Sequence, residues 1–259
     1  PMVSTLVALL DVRAHPPCLA ALGTCAEVFG ALPEAQEALA SALSAGMERV
    51  MRRLQVMDAK SLAEGAEFVA AALTMADRFL VFAPGPLLGS SHLPALLGAT
   101  VRVLSMAERD PVGAALNFSA HLSAPSERQA ASPAWQAAAG HVAAAINAHG
   151  EALVAALLRA LCGSCPRHLL RVLAGCLYGL VTHPTYHAAV AGVMPAVLLS
   201  PEFPAVREGL LKEEDCKRFC SIALRQPALP RQRFDALVSD MAALCRAEGT
   251  ADALLAYEM

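Results

Sequence analysis

Apolar residues along this chain recur at the spacing of one face of an α-helix. In the segment RQRFDALVSDMAALCRA the apolar positions are three or four residues apart, with charged residues between them. Residues at this spacing share one side of a helix, so the segment predicts an amphipathic helix with a buried face. That face would consist of Phe234, Leu237, Val238, Met241, Leu244 and Cys245. A second segment, AEFVAAALTMADRFLVF, has an equivalent face made of Phe68, Ala72, Met75, Phe79 and Phe82.

Prolines and glycines divide the chain into pieces of helix length. Pro33 and Pro111 stand where a first-turn proline is tolerated, and Asp110 and Ser132 each precede a proline as an N-cap residue does. These start signals agree with the apolar pattern. The predicted helices cover residues 16–30, 33–56, 60–82, 87–107, 110–123, 133–162, 166–182, 185–199, 209–225 and 230–247.

The predicted helices form hairpin-like pairs that recur along the chain. Pairs begin near residues 16, 60, 110 and 166, so the period is about 44 to 56 residues, close to the roughly 40–47 residues of HEAT and armadillo units. One hairpin cannot bury its apolar face alone, so such units stack. The sequence therefore predicts an all-α fold, an α-solenoid of antiparallel helix pairs. We expect residues 1–259 to be a single solenoid segment of about five hairpins.

Composition and charge narrow the classes of function. Hydrophobic residues make up 56% of the chain and aromatic residues 5%, which favours a folded, Ala- and Leu-rich helical protein over a disordered one. The net charge of −3 provides no basic field for nucleic acid. Polar residues 182–187 interrupt the long uncharged stretch Val172–Pro201, and the stretch Phe79–Val101 is broken by prolines and glycines. We therefore expect neither direct nucleic-acid binding nor membrane insertion.

Cys162, Cys165, His183 and His187 form the strongest candidate for chemistry. Their C-x2-C and H-x3-H spacing resembles a Cys2His2 zinc site, and a Cys-x-x-Cys pair is also a redox motif. However, a helical run leads into Cys162, where a zinc finger would have a hairpin of strands. A redox pair instead begins a helix that follows a strand. The pattern favours a turn between helices, with Gly163 and Ser164 ending one helix and Pro166 opening the next.

No other grouping suggests an active site. The remaining histidines are scattered, and the glycine-bearing segment APGPLLGSS lacks the lysine of a phosphate-binding loop. Eight cysteines without a secretory signal at the start indicate buried or free thiols of a reducing compartment. We therefore expect no enzymatic activity, no cofactor and no bound metal.

Several segments resemble the C-terminal HEAT repeats of nuclear transport receptors. They are AHPPCLAALGTCAEVFG, FLVFAPGPLLGSSHLPALLGATVRVL, LVAALLRALCGSCPRHLLRVLAGCLY, CKRFCSIALRQ and FDALVSDMAALCR. The resemblance is to the transportin-three and importin-thirteen branch of the importin-beta superfamily, and it is clearest between Leu153 and Arg246. In that family the segment CGSCPRHLL joins the two helices of one repeat.

The resemblance implies a karyopherin that shuttles between nucleus and cytoplasm. Its expected partners are protein cargo, including arginine-serine-rich proteins, nucleoporins, and the GTPase Ran bound through N-terminal repeats that this sequence lacks. The chain would be the C-terminal part of a longer receptor. A basic cargo suggests acidic contacts, for which Glu213, Glu214 and Asp215 are the candidates, although a solvated helix start explains them equally. Two alternatives stay open: a generic HEAT or armadillo scaffold outside nuclear transport, and a zinc-binding helical module.

Overall fold

The structure, a computed structural model, describes residues 5, 8, 9 and 15–258. Within these residues it is all-α and contains no strand, and its helices pack in the repeated arrangement of an α-solenoid, as predicted. The helices after residue 15 are α1 Pro16–Phe29, α2 Gln36–Val56, α3 Ala59–Glu64, α4 Ala66–Phe82, α5 Pro84–Leu88, α6 Leu93–Val103, α7 Arg109–Ser123, α8 Glu127–Ala130, α9 Pro133–Ala160, α10 Leu170–Thr182, α11 Pro184–Leu198, α12 Pro204–Arg207, α13 Glu213–Ala223, α14 Arg231–Cys245 and α15 Asp252–Leu255. Short 3-10 turns at Pro33–Ala35 and Arg167–Leu169 lead into α2 and α10.

The chain divides into two compact units, Pro1–His149 and Gly150–Met259. In unit 1, helices α1, α4 and α7 pack side by side, α1 on α4 and α4 on α7. The intervening helices form a second layer, in which α2 packs against α5 and α6. Successive long helices thus alternate between two layers, which is how stacked hairpins bury their apolar faces.

In unit 2, α10 packs against α11 and α14, and α13 packs against α11 and α14. The short α15 covers α13 and α14. Phe203, Phe219 and Phe234 lie fully buried in this unit. The expectation of a single solenoid segment over residues 1–259 stays a prediction.

Most predicted helix boundaries agree with the structure because prolines fix the helix starts. Two predicted helices are each divided in two. The helix expected at 60–82 breaks at Gly65 into α3 and α4, and the one expected at 87–107 breaks at residues 89–92 into α5 and α6. The helix expected at 209–225 is shorter and begins at Glu213.

Both predicted apolar faces face the core. All six residues of the first face, on α14, are buried. On α4 the first four positions are buried, whereas Phe82, the last residue of the helix, has 42% of its surface exposed. The periodicity places Phe82 on the same face as the buried residues, so it did not reveal this exposure.

The two predicted N-caps are wrong in detail. The helix that contains Pro111 begins at Arg109, with Glu108 as the N-cap, so Asp110 lies in the first turn and does not cap. Ser132 does precede α9, but its hydroxyl oxygen is buried without a hydrogen-bond partner among the described residues. Proline therefore located the helix starts better than the capping residues did.

One described helix, α9, has the length and apolarity of a membrane span. Half of the most apolar part of this helix is buried inside the fold. The uncharged stretch tested in the sequence, Val172–Pro201, is broken at His183 into α10 and α11.

Candidate interaction surface

The acidic triplet at the start of α13 does not form a uniform acidic surface. Glu213 is exposed, and one of its carboxylate oxygens lies 2.6 Å from Nζ of Lys217, one helical turn further along. The hydrogen bond donated by Lys217 lowers the pKa of Glu213. The charge of Glu213 is therefore already matched by a neighbour on its own helix.

Asp215 is buried and belongs to the start of the helix. Its Oδ2 accepts a hydrogen bond of 3.1 Å from the backbone N–H of Lys212, and its Oδ1 lies 3.7 Å from the Arg218 guanidinium. Arg218 also bonds Glu258 at 2.8 Å. A carboxylate that satisfies a free N–H group at a helix N-terminus stabilises that end of the helix.

Of the three predicted contact residues, only Glu213 and Glu214 face solvent. Among the described residues no ion-pair partner of Glu214 lies within bonding distance, although the exposed Lys212 and Lys217 lie on either side in sequence. The burial of Asp215 favours the helix-start interpretation for that residue. A role of Glu213 and Glu214 in cargo contact stays a prediction.

The segment 161–165, which contains Cys162 and Cys165, is a turn after α9, as predicted. Gly163 has φ of 137°, a conformation that residues with a side chain rarely adopt. The backbone N–H of Cys165 donates a hydrogen bond of 3.0 Å to the carbonyl oxygen of Ala160. Glycine is thus required for the turn.

Arg246, directly after α14, holds this turn in place. Its Nε donates to the carbonyl oxygen of Leu161 at 2.8 Å, and its Nη2 donates to that of Cys165 at 2.7 Å. These carbonyls lie beyond the last residue of α9, where the helix leaves carbonyl groups without partners of its own. A planar guanidinium with several donors suits two acceptors at once.

Cys162 and Cys245 are hydrogen-bonded neighbours with opposite pKa shifts. The hydrogen bond with Cys245 lowers the pKa of Cys162, whereas the bond with Cys162, together with burial, raises the pKa of Cys245. Burial also raises the pKa of Cys165 to about 11. Cys162 is partly exposed and the other two are buried, so we expect Cys162 to be the most reactive thiol of the three.

The two histidines of the zinc-like pattern bond to the protein backbone. His183 is the N-cap of α11, where its Nδ1 accepts from the N–H of Thr185 at 3.2 Å and its ring stacks on Tyr186. The Nδ1–H of His187 donates to the carbonyl of Val181 at 2.7 Å. Within the part of the chain that the structure describes, no group of three or more His, Cys, Asp or Glu residues could hold a metal ion.

A contact that the sequence analysis missed joins α10 and α14. The guanidinium of Arg231 lies beside Gly175, where a Cβ atom would stand 2.5 Å from Nη2. It also lies over the ring of Tyr178 and bonds Asp235 at 2.7 Å. The i, i+4 spacing of Arg231 and Asp235 was visible in the sequence, but the approach to Gly175 comes from a distant part of the chain.

Comparison with known families gives a match over residues 104–187. The matching family is described as the importin 13 repeat. The matched range runs from the end of α6 to the start of α11 and includes the turn that Arg246 holds. No curated protein matches the chain.

Proposed function

We propose that the chain works as part of a nuclear transport receptor, because its residues 104–187 match the importin 13 repeat. In this proposal it binds protein cargo and helps form the C-terminal arch of the receptor. Cargo and Ran would each shift the equilibrium between conformations of the receptor. The receptor itself would catalyse no covalent reaction. The chain would have no enzymatic activity.

The family match is the observation that carries this proposal. The repeated packing of helices in two layers supports it, since stacked repeats provide long surfaces for protein partners. Ran would bind through N-terminal repeats outside this sequence, and nucleoporins and arginine-serine-rich cargo would be further partners. The protein would shuttle between nucleus and cytoplasm.

Ran binding by the full-length protein tests the proposal directly. Immobilised full-length protein is incubated with Ran locked in its GTP form and, as a control, with Ran in its GDP form. We expect retention of the GTP form in preference to the GDP form. Equal retention of both, or of neither, would count against a Ran-regulated receptor.

Cargo contact by the exposed acidic pair needs a separate test. The variant Glu213→Gln/Glu214→Gln removes two charges and leaves the buried Asp215 in place. We expect about two- to fivefold weaker binding of an arginine-serine repeat peptide, since exposed ion pairs contribute little each. The matched control is Glu151→Gln/Glu202→Gln, which removes two exposed charges elsewhere in unit 2. Equal effects of both variants would contradict a specific role for the pair.

A generic HEAT or armadillo scaffold is the second candidate, favoured by the extent of the match, which leaves most of the chain outside it. Such a scaffold would still bind protein partners, but it would ignore the nucleotide state of Ran. The Ran experiment therefore separates the two candidates. Since no metal-binding group is found among the described residues, nothing observed favours the zinc-binding alternative.

A further inference from the structure

A cavity of about 530 Å³ opens in unit 1 between two connections of the repeat. One wall is the junction of α2 with α3, and the other is the junction of α6 with α7. The volume lies within the range of pockets that bury small ligands or several side chains. Neither the acidic triplet 213–215 nor the Cys and His pattern of residues 162–187 includes a residue that lines this cavity.

The floor of the cavity is apolar. Met57, Leu62 and Met106 line it and are buried, each with less than a tenth of its surface exposed. Methionine side chains are flexible and adapt to apolar partners of different shape. Val56, the last residue of α2, directly precedes Met57. Its side chain is 82% exposed, so a further apolar side chain at this end of the helix faces solvent.

Arg102 fixes the two walls but does not neutralise the rim. Its Nη1 donates to the carbonyl of Met57 at 2.9 Å, and its Nη2 donates to that of Leu54 at 2.6 Å. These bonds direct both terminal nitrogens towards the end of α2. The connection between the walls is therefore held by the protein itself, and the cavity does not need a ligand to form.

Two carboxylates at the cavity have no basic partner among the described residues. Asp58 is exposed and caps α3, with Oδ1 accepting from the N–H of Ser61 at 2.8 Å and from the Ser61 hydroxyl at 2.6 Å. Glu108 lines the cavity, and its side chain does not cap α7. With Arg102 included, the charged residues lining the cavity sum to about −1, which favours a cationic ligand.

We propose that this cavity binds an extended peptide segment in which one apolar side chain is flanked by basic residues. The apolar side chain enters between Met57, Leu62 and Met106. The basic side chains reach Asp58 and Glu108 at the rim, because side chains two positions apart lie on the same face of an extended strand. The inference is independent of the proposed function, since a scaffold outside nuclear transport would bind the same segment.

The test uses the whole chain and three fluorescein-labelled peptides. The probe is Gly-Arg-Ala-Leu-Ala-Arg-Gly. In one control peptide glutamate replaces both arginines, and in the other serine replaces leucine. Fluorescence anisotropy should show saturable binding of the probe, weakened by added salt, and at least about fivefold weaker binding of each control. Equal binding of the probe and the glutamate peptide would overturn the proposal.

Variants locate the binding at the cavity. Asp58→Asn/Glu108→Gln removes both rim charges while asparagine still caps α3, and we expect about three- to tenfold weaker binding of the probe. The matched control, Glu34→Gln/Glu37→Gln, removes two exposed charges next to the other end of α2 and should bind like the wild type. An unchanged dissociation constant for the rim variant would also overturn the proposal.

A third variant fills the cavity. Ala107 lines the cavity and is exposed, so Ala107→Trp should place an indole where the leucine side chain enters and weaken binding about tenfold. Its control is Ala38→Trp, on an exposed position of α2. Far-UV circular dichroism checks that both fold. If Ala107→Trp does not fold, the rim variant still decides the outcome.

Discussion

Cys162 and Cys245 show how one contact gives two like residues opposite properties. Cys162 is partly exposed, and its hydrogen bond with Cys245 lowers its pKa. Cys245 is buried, and its pKa is raised. Burial also raises the pKa of Cys216 to about 11 and that of Cys220 to about 12. These four cysteines therefore differ in how readily each forms a thiolate.

We expect Cys162 to be alkylated faster than Cys165, Cys216, Cys220 and Cys245 in the folded protein. Its thiolate forms at lower pH, and reagent reaches it without local unfolding. Labelling with iodoacetamide at pH 7.5, followed by peptide mass spectrometry, measures the order. Labelling in denaturant is the control and should remove most of the difference. Equal rates in the folded state would contradict the prediction.

His121 and Asp77 link α7 to α4, and we expect this pair to make the stability of unit 1 depend on pH. The Nδ1 of His121 lies 2.7 Å from the carboxylate of Asp77, and this hydrogen bond raises the pKa of His121 above 6.5. A raised pKa in the folded state stabilises the protein below the unfolded pKa, and that stabilisation is lost as the pH rises through the folded pKa.

The variant Asp77→Asn should therefore lose more stability at pH 5.5 than at pH 8.5. The pair is partly exposed, so we expect the difference to stay below about 1 kcal/mol. Urea unfolding of wild type and variant at both pH values measures the difference. His121→Gln removes the same hydrogen bond, so it should also lose more stability at pH 5.5 than at pH 8.5. If Asp77→Asn costs the same at both pH values, the pair does not account for any pH effect.

Among the helices, the end of α14 meets the turn after α9, and Arg246 provides two of the hydrogen bonds that join them. Arg246 makes both hydrogen bonds, to Leu161 and Cys165, and Gly163 allows the turn that presents the two carbonyls. Hydrogen bonds from a charged donor contribute more than neutral ones, and unpaired carbonyl groups are costly to bury. The turn and α14 should therefore lose stability together.

Arg246→Ala should destabilise unit 2 by about 2–3 kcal/mol, since two hydrogen bonds from a charged group are lost. Arg246→Lys retains the charge but not the two-pronged geometry, so we expect it to recover only part of that stability. Chemical denaturation monitored by circular dichroism gives both values. Full stability in the lysine variant would show that charge alone is enough.

The sequence indicated the helices well because proline acts locally. Pro16, Pro33, Pro133 and Pro184 each stand at the first position of a helix or 3-10 turn, within one residue of the predicted starts. The breaks at Gly65 and at residues 89–92 were missed, since glycine within an apolar pattern is compatible with a continuous helix.

The interaction surface was less predictable than the helices. An acidic residue at the third position of a helix can face solvent or turn back to cap it, and the sequence does not distinguish these cases for Asp215. The bond between Arg246 and Leu161 joins residues that are far apart in sequence, and no local pattern signals it. Contacts of this kind depend on how the helices pack, which periodicity does not specify.

For the whole molecule, the stacked arrangement of helices predicts that a destabilising substitution affects mainly the repeat that contains it and the neighbouring repeats. In a solenoid each repeat contacts mainly its neighbours, so stability is nearly a sum of repeat and interface contributions. Gly30, at the end of α1, offers a test within unit 1. A Cβ atom there would stand 2.3 Å from the carbonyl oxygen of Phe82, a backbone atom that cannot move aside alone.

Gly30→Ala should therefore cost about 1–3 kcal/mol and loosen α1 and α4 in particular. Hydrogen exchange followed by mass spectrometry should show faster exchange in residues 16–82 and little change in residues 170–245. Gly140→Ala is the control, because a Cβ atom there meets nothing within 4 Å. Faster exchange over the whole chain would indicate a single cooperative fold.

The 28-residue helix α9 limits where this protein can be divided for study. The boundary between the two units falls inside that helix, at His149 and Gly150. A fragment that begins at Gly150 would start in the middle of a helix, with new N–H groups unpaired and only residues 150–160 of α9 left. The buried residues Leu153, Val154 and Leu157 would then lie in the poorly ordered first turns of the shortened helix. Expression trials should divide the chain between Ala131 and Ser132, before α9, so that the fragment with unit 2 contains the whole helix.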